Sequence, residues 1–140
     1  MIRKHRLFLP ILAFLWLSSF AADNSSPTLK SVMQGLGRSM NNLNQGIFLE
    51  DFTLIEKAAL EVASHPKPKS QLPTIIKTLN VRMPQFKSTD SKVHHSAIDI
   101  AKLAKKRDMA GILNKHSVIM ENCVACHTQF RLEISRVLSQ

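Results

Sequence analysis

Tyrosine is missing from this 140-residue chain, tryptophan occurs once and glycine four times. The single Trp16 lies in an apolar leader, so beyond residue 22 phenylalanine is the one aromatic of the Phe, Trp and Tyr set. Basic residues interleaved with stacking aromatics are therefore absent, which argues against nucleic-acid binding. Cysteine is limited to Cys123 and Cys126, and a bridge between them would be strained inside a helix and would close a trivially short loop. Low-complexity segments and repeats of fixed period are lacking. No run beyond residue 22 is apolar enough to span a bilayer, so no stable membrane span is expected in the mature chain. No general acid, base and nucleophile constellation is visible, which argues against an enzyme with substrate turnover of its own.

What is present is concentrated in five residues. Cys123, Val124, Ala125, Cys126 and His127 spell C-x-x-C-H, the covalent attachment signature of c-type haem. Two thiols three residues apart share a helix face, with Cβ atoms about 5 to 6 Å apart, and can add as thioethers to the two vinyl groups along one porphyrin edge. His127 follows Cys123 by one turn. A neutral imidazole there reaches the iron from the proximal side while its other nitrogen donates a hydrogen bond that fixes the tautomer. One covalent haem c is the expected cofactor. A thioredoxin-like dithiol would need alternating strands and helices, which are not visible. A structural zinc site wants four ligands, and the neighbours His94 and His95 would point about 100° apart on a helix.

The start of the chain reads as a secretory signal. Arg3, Lys4 and Arg6 precede an apolar run from Leu7 to Ala22, and the small residues Ser19 and Ala21 have signal-peptidase spacing, predicting cleavage after Ala21. The expected division is a signal peptide over 1–21 and one domain over 22–140, exported to the periplasm. An uncleaved anchor fits less well, because the run falls short of the roughly 20 residues that cross a bilayer. Export matters because haem attachment to cysteine is completed outside the bacterial cytoplasm. Removing Arg3, Lys4 and Arg6 from 19 basic residues leaves 16 against 10 acidic ones, a net charge of +6. Two haem propionates lower it to about +4, a surplus suited to an acidic redox partner or loose attraction to anionic lipid. The run Lys105, Lys106, Arg107 reads as a solvated helix end, where positive charge suits the dipole.

Apolar residues recur at spacings of three and four, so the fold class is all-α. A first helix is predicted from Pro27, capped by Ser26, with Leu29, Val32, Met33, Leu36, Met40, Leu43 and Ile47 on one stripe. Asp51 caps a second, with Phe52, Ile55, Ala59 and Val62 inward, ending at His65 and Pro66. Pro66, Pro68, Pro73 and Pro84 make residues 65–88 a long connection with at most a short helix around Thr74 to Leu79. A third main helix is expected from about Asp90 to Lys106, with Val93, Ala97, Ile100, Ala101 and Ala104 inward. Asp108 caps a fourth, carrying Ile112, Leu113, His116, Ile119, Cys123, His127, Phe130, Ile134 and Leu138. The expectation is an antiparallel four-helix bundle whose C-terminal helix bears the C-x-x-C-H motif.

In this arrangement the chain resembles a class II c-type cytochrome, the cytochrome c′ and cytochrome c-556 family, in which the haem motif lies on the last helix. Thr128, Gln129, Phe130 and Arg131 after His127 match that family's C-x-x-C-H-x-x-aromatic-Arg ending. Lys30 through Met40, with Met33, Gly37 and Arg38, resembles the first helix of the c-556 branch. On periodicity alone Met33 reads as core filling, for which a flexible thioether is well suited. The resemblance instead implies that Met33 caps the iron opposite His127, leaving Met40, two turns further on, as a pocket wall. Arg38 resembles a position near the haem edge where it can pair with a propionate. Arg131, one turn after His127, can screen a propionate or the proximal imidazole, and Phe130 can pack against the ring. His65, His94, His95 and His116 read as surface or satisfied histidines.

The function implied is single-electron transfer between redox partner proteins through six-coordinate His/Met iron. The alternative is a five-coordinate cytochrome c′ that binds NO or CO. A peroxidase-like enzyme would need distal acid and base groups that the aliphatic stripe does not supply. Relatives include monomers and dimers through the first two helices, so both states stay open.

Overall fold

The computed structural model describes residues 26–139; the expected signal segment over 1–21 and its predicted cleavage site lie outside them. Three of the helices start on side-chain caps. Thr28 Oγ1 accepts from the Ser31 amide at 3.1 Å and opens α1 (Leu29–Phe48). Asp51 accepts from the amides of Thr53 and Leu54, both at 3.0 Å, and opens α2 (Phe52–Ala63). Asp108 accepts from the Gly111 amide at 2.9 Å and opens α5 (Met109–Leu138). Each cap satisfies amides that a helix leaves without partners and contributes about 1 kcal/mol. Two further helices, α3 (Leu72–Leu79) and α4 (Met83–Lys105), are joined by a 3₁₀ turn at Asn80–Arg82. No strand occurs among the described residues.

Two boundaries differ from the sequence expectation. Helix α1 begins at Leu29 rather than Pro27, because Thr28 takes the capping role expected of Ser26. Helix α4 begins at Met83, one and a half to two turns before Asp90, since Pro84 falls in the first turn and starts the helix instead of breaking it. At that position the missing amide is one that no intrahelical carbonyl would have paired.

Packing runs in sequence order around the bundle: α1 lies on α2, α2 on α4, and α4 on α5. The α2–α4 seam is built from Ala58, Ala59, Ala97, Ala101 and Ala104, whose small side chains let the helices approach, with Ile55, Val62 and Ile100 filling between them. Gly46 serves the α1–α2 seam, where a Cβ would stand 2.9 Å from the Ile55 side chain. Leu43, Ile112 and Ile119 are fully buried and join α1 and α5 to this core. Each such aliphatic side chain contributes about 1.5 to 3 kcal/mol on burial. Of the adjacent pair Ile112 and Leu113, both named from the sequence, Ile112 takes the core position and Leu113 is half exposed.

A second cluster sits beyond the first. Ile75 and Leu79 of α3, Met83 of α4, and Phe130 and Ile134 of α5 pack together, with Leu29, Leu72, Phe86, Cys126 and Leu138 around them. The backbones of α1 and α5 barely approach one another. The bundle is thus closed on three seams and open on the fourth. No helix of the described residues is long and apolar enough to cross a membrane.

Candidate functional site

The open seam holds a cleft of about 700 Å³. Its walls come from the start of α1 (Leu29, Lys30, Met33, Gln34), from Gln71 before α3, from Phe86 of α4, and from the second half of α5 (Cys126, His127, Phe130, Arg131, Ile134, Leu138). Met33, Cys126, His127, Phe130 and Arg131, named from the sequence, therefore meet in one place. Met33 is 37% exposed, more than a packed core methionine would be, and its side chain borders open space.

The floor is braced from behind. Phe130 is buried, and Phe86 meets its ring edge to face with centroids 5.5 Å apart. Arg82 stands over the same ring, 5.7 Å from its centroid, and pairs with Glu133 one turn further along α5. The Leu29 amide donates to Gln71 Oε1 at 2.6 Å, tying the start of α1 to the start of α3 at the cleft's end.

The two thiols differ in surroundings. Cys126 faces the cleft and the second apolar cluster, whereas Cys123, one turn earlier, packs against the main core. Burial raises the Cys123 thiol above the ordinary range. For Cys126, burial first and then the charges of Asp90 and Cys123 push the pKa up to about 11. Both are thiols, not thiolates, in the folded chain at neutral pH.

Other named residues lie elsewhere. Arg38 borders a smaller cleft of about 440 Å³ with Ser39, Glu61 and His65. It follows Met33 by five residues, which turns it about 140° around the helix and away from the larger cleft. Met40 packs half-buried against the main core and is not a cleft wall. His65 donates from Nδ1 to the Val62 carbonyl at 2.9 Å and places Nε2 3.4 Å from Asp90. His94 reaches the Ala63 carbonyl at 2.6 Å, and His95 stays against Ser91 on its own helix. His116 has a buried Nε2 without a hydrogen-bond partner, and burial lowers its pKa, so the ring is neutral. None of these four histidines borders the larger cleft.

Lys30, Gln71 and Phe86 are wall residues that sequence reasoning missed. Lys30 stood next to Met33 in the matched segment and could have been found by helical spacing, whereas Gln71 and Phe86 sit in what read as a connection.

The cleft suits a large, mostly apolar group with anionic edges. Its volume lies within the range of cofactor pockets, its walls are aliphatic and aromatic, and Lys30 and Arg131 supply cations at its border. His127 on α5 and Met33 on α1 bring an imidazole and a thioether from two different helices. Among the described residues no three or more His, Cys, Asp or Glu side chains gather to hold a bare metal ion. An iron already held by four porphyrin nitrogens needs no such cluster, only one or two axial atoms.

Comparison of the chain with models of protein families, with curated proteins and with solved structures found no significant match.

Proposed function

We propose that the chain is a periplasmic class II c-type cytochrome of the c-556 kind, an antiparallel four-helix bundle that carries single electrons through one covalent haem. The observation that carries this reading is that Met33 of α1 shares a single apolar cleft with Cys126 and His127 of the C-x-x-C-H segment. Periodicity alone does not require that meeting. In this reading Cys123 and Cys126 hold the haem through thioethers, His127 is its proximal ligand and Met33 its distal one. Lys30 and Arg131 face the propionates. Phe130, braced by Phe86, keeps water from one side of the cleft. Bound haem supplies reversible one-electron exchange between ferric and ferrous iron, and a thioether ligand favours the ferrous state relative to a second imidazole. The surrounding side chains set burial, edge exposure and local charge. Export fits this reading through the leader over residues 1–21.

The test is the absorption spectrum of purified holoprotein, oxidised and reduced, with and without carbon monoxide. A low-spin spectrum with the weak far-red methionine-to-iron band, indifferent to carbon monoxide, is expected. A high-spin spectrum that shifts with carbon monoxide would assign the chain to the gas-binding alternative, with Met33 as packing only. A protein that loses its haem in a denaturing gel would remove the covalent assignment altogether.

A further inference from the structure

Positive charge is distributed unevenly over this molecule. Residues 64–92, comprising the linker after α2, helix α3, the 3₁₀ turn and the first turns of α4, carry Lys67, Lys69, Lys77, Arg82, Lys87 and Lys92 against Asp90 alone, a net +5. The other described residues hold ten basic against eight acidic side chains, a net +2. The contrast sharpens on inspection of pairs. The five lysines of this strap are all exposed, and none pairs with a carboxylate among the described residues. Elsewhere Lys102 and Lys115 meet Asp99 and Lys105 meets Glu56, while Lys30 on α1, Lys57 on α2 and Lys106 at the end of α4 stand apart from one another without a carboxylate among the described residues.

Unpaired like charge on so short a segment costs folding energy by self-repulsion and gives nothing back to the fold. The strap and the adjoining stretch of α5 also present apolar side chains that the core does not use. Val81 is 84% exposed, Leu132 72% and Ile76 44%. Val81 and Leu132 each precede a partner of the Arg82–Glu133 ion pair, which holds their two elements together. Exposed apolar side chains on the same short segment as unpaired charges are the materials of a protein interface. The position also matters, because Gln71 and Phe86 of this same strap are walls of the larger cleft.

We propose that residues 64–92, with Leu132, form the docking surface for an acidic protein, a one-electron carrier of complementary negative charge. The partner's class rests on the electron-carrier reading; the surface itself does not. Opposite charge steers the encounter, and the small apolar contact lets the complex dissociate quickly. A bilayer fits this surface less well, since its exposed apolar residues include no aromatic anchor and α3 is only 8 residues long.

The experiment uses the full mature holoprotein and, as probe, an acidic copper protein of the cupredoxin class. Amide chemical shifts followed by NMR during titration at low ionic strength are expected to change over residues 64–92 and around Leu132, and to return in high salt. Changes centred on Phe48 and Leu49, or on the exposed α5 residues Leu113 and Met120, would overturn the assignment. Two variants of equal charge change then separate location from bulk charge. Lys67→Glu, Lys69→Glu and Lys77→Glu together should weaken binding at least about tenfold at low salt, whereas Lys57→Glu, Lys102→Glu and Lys106→Glu should weaken it less than about threefold. Equal losses would overturn the proposal in favour of net charge. Binding to phosphatidylglycerol vesicles through the strap, without binding to the copper protein, would overturn it in favour of a membrane surface. The readout is docking and not electron flow, so a failed haem spectrum and a failed docking map are separate results.

Discussion

Phe86 meets Phe130 edge to face with ring centroids 5.5 Å apart, which joins the first turns of α4 to the second half of α5 directly behind the cleft. Phe130 is 1% exposed and touches both clefted space and the cluster of Ile75, Leu79, Met83 and Ile134. Truncating it removes a full aromatic ring from a site whose neighbours belong to three different helices and cannot easily collapse together. Phe130→Ala is expected to destabilise the holoprotein by about 3 to 5 kcal/mol in denaturant titration. Phe86→Ala, at a half-buried ring, should cost less. Equal or negligible losses would mean that the cleft floor is not the braced structure described here.

Met33 and Met40 separate two roles that helical spacing leaves together. Met33 borders the cleft, while Met40 leans on the main core beside Leu43. Met33→Ala should turn a low-spin spectrum high-spin and admit carbon monoxide, with little change in stability. Met40→Ala should leave the spectrum alone and cost about 2 kcal/mol of unfolding free energy. Spectroscopy and denaturation of the same two variants check both halves. A spectrum disturbed only by Met40→Ala would exchange their roles.

Much of this arrangement was legible in the sequence, and the exceptions have particular causes. The inward faces of α2 and α4 follow from Ile55, Ala59, Val62, Val93, Ala97 and Ile100, since burial on a helix is periodic. Asp51 and Asp108 announced their helices because a carboxylate before an apolar run has amides to satisfy. Pro84 misled, for a proline reads alike as a breaker and as a first-turn residue, and only the surrounding packing decides. That error hid Phe86 and with it the brace behind the cleft floor. Arg38 was placed by resemblance near the haem edge, but the turn of α1 carries it to the smaller cleft beside Glu61 and His65.

On the cytochrome reading, thioether formation is expected on the unfolded chain, because folding buries both thiols and holds them protonated. Thioether formation adds a sulfur and its proton across a vinyl double bond, and thiolate is the more reactive form of sulfur. In the folded chain Cys126 is raised from 9.0 to about 11, so its thiolate population falls about a hundredfold relative to an unfolded thiol. Alkylation of folded apoprotein by iodoacetamide at pH 8 should therefore be slower at Cys126 by about two orders of magnitude than in urea. Mass spectrometry of the modified peptide reads this directly. Equal rates in both states would show that burial does not protect the motif.

His65 and Asp90 link the end of α2 to α4 with a pH-dependent bond. The hydrogen bond that His65 donates to Asp90 raises the histidine above its ordinary range, against a smaller opposing effect of burial, and the same bond lowers Asp90. The raised histidine stabilises the fold fully below its unfolded pKa, and this contribution is lost as pH rises through its higher folded value. The lowered aspartate contributes above its unfolded pKa and loses its contribution as pH falls through its lower folded value. Together they predict greatest support between about pH 4 and about pH 6.5, declining toward alkaline pH as the imidazole loses its proton. With the Asp90 side chain half exposed, solvent screening keeps the effect below about 1 kcal/mol. Urea unfolding of the wild type and His65→Gln across this range should show a difference that shrinks as pH rises from 6 to 9. A difference that instead grew with pH would mean that His65 supports the fold as a neutral donor to Val62, and that its pairing with Asp90 contributes nothing.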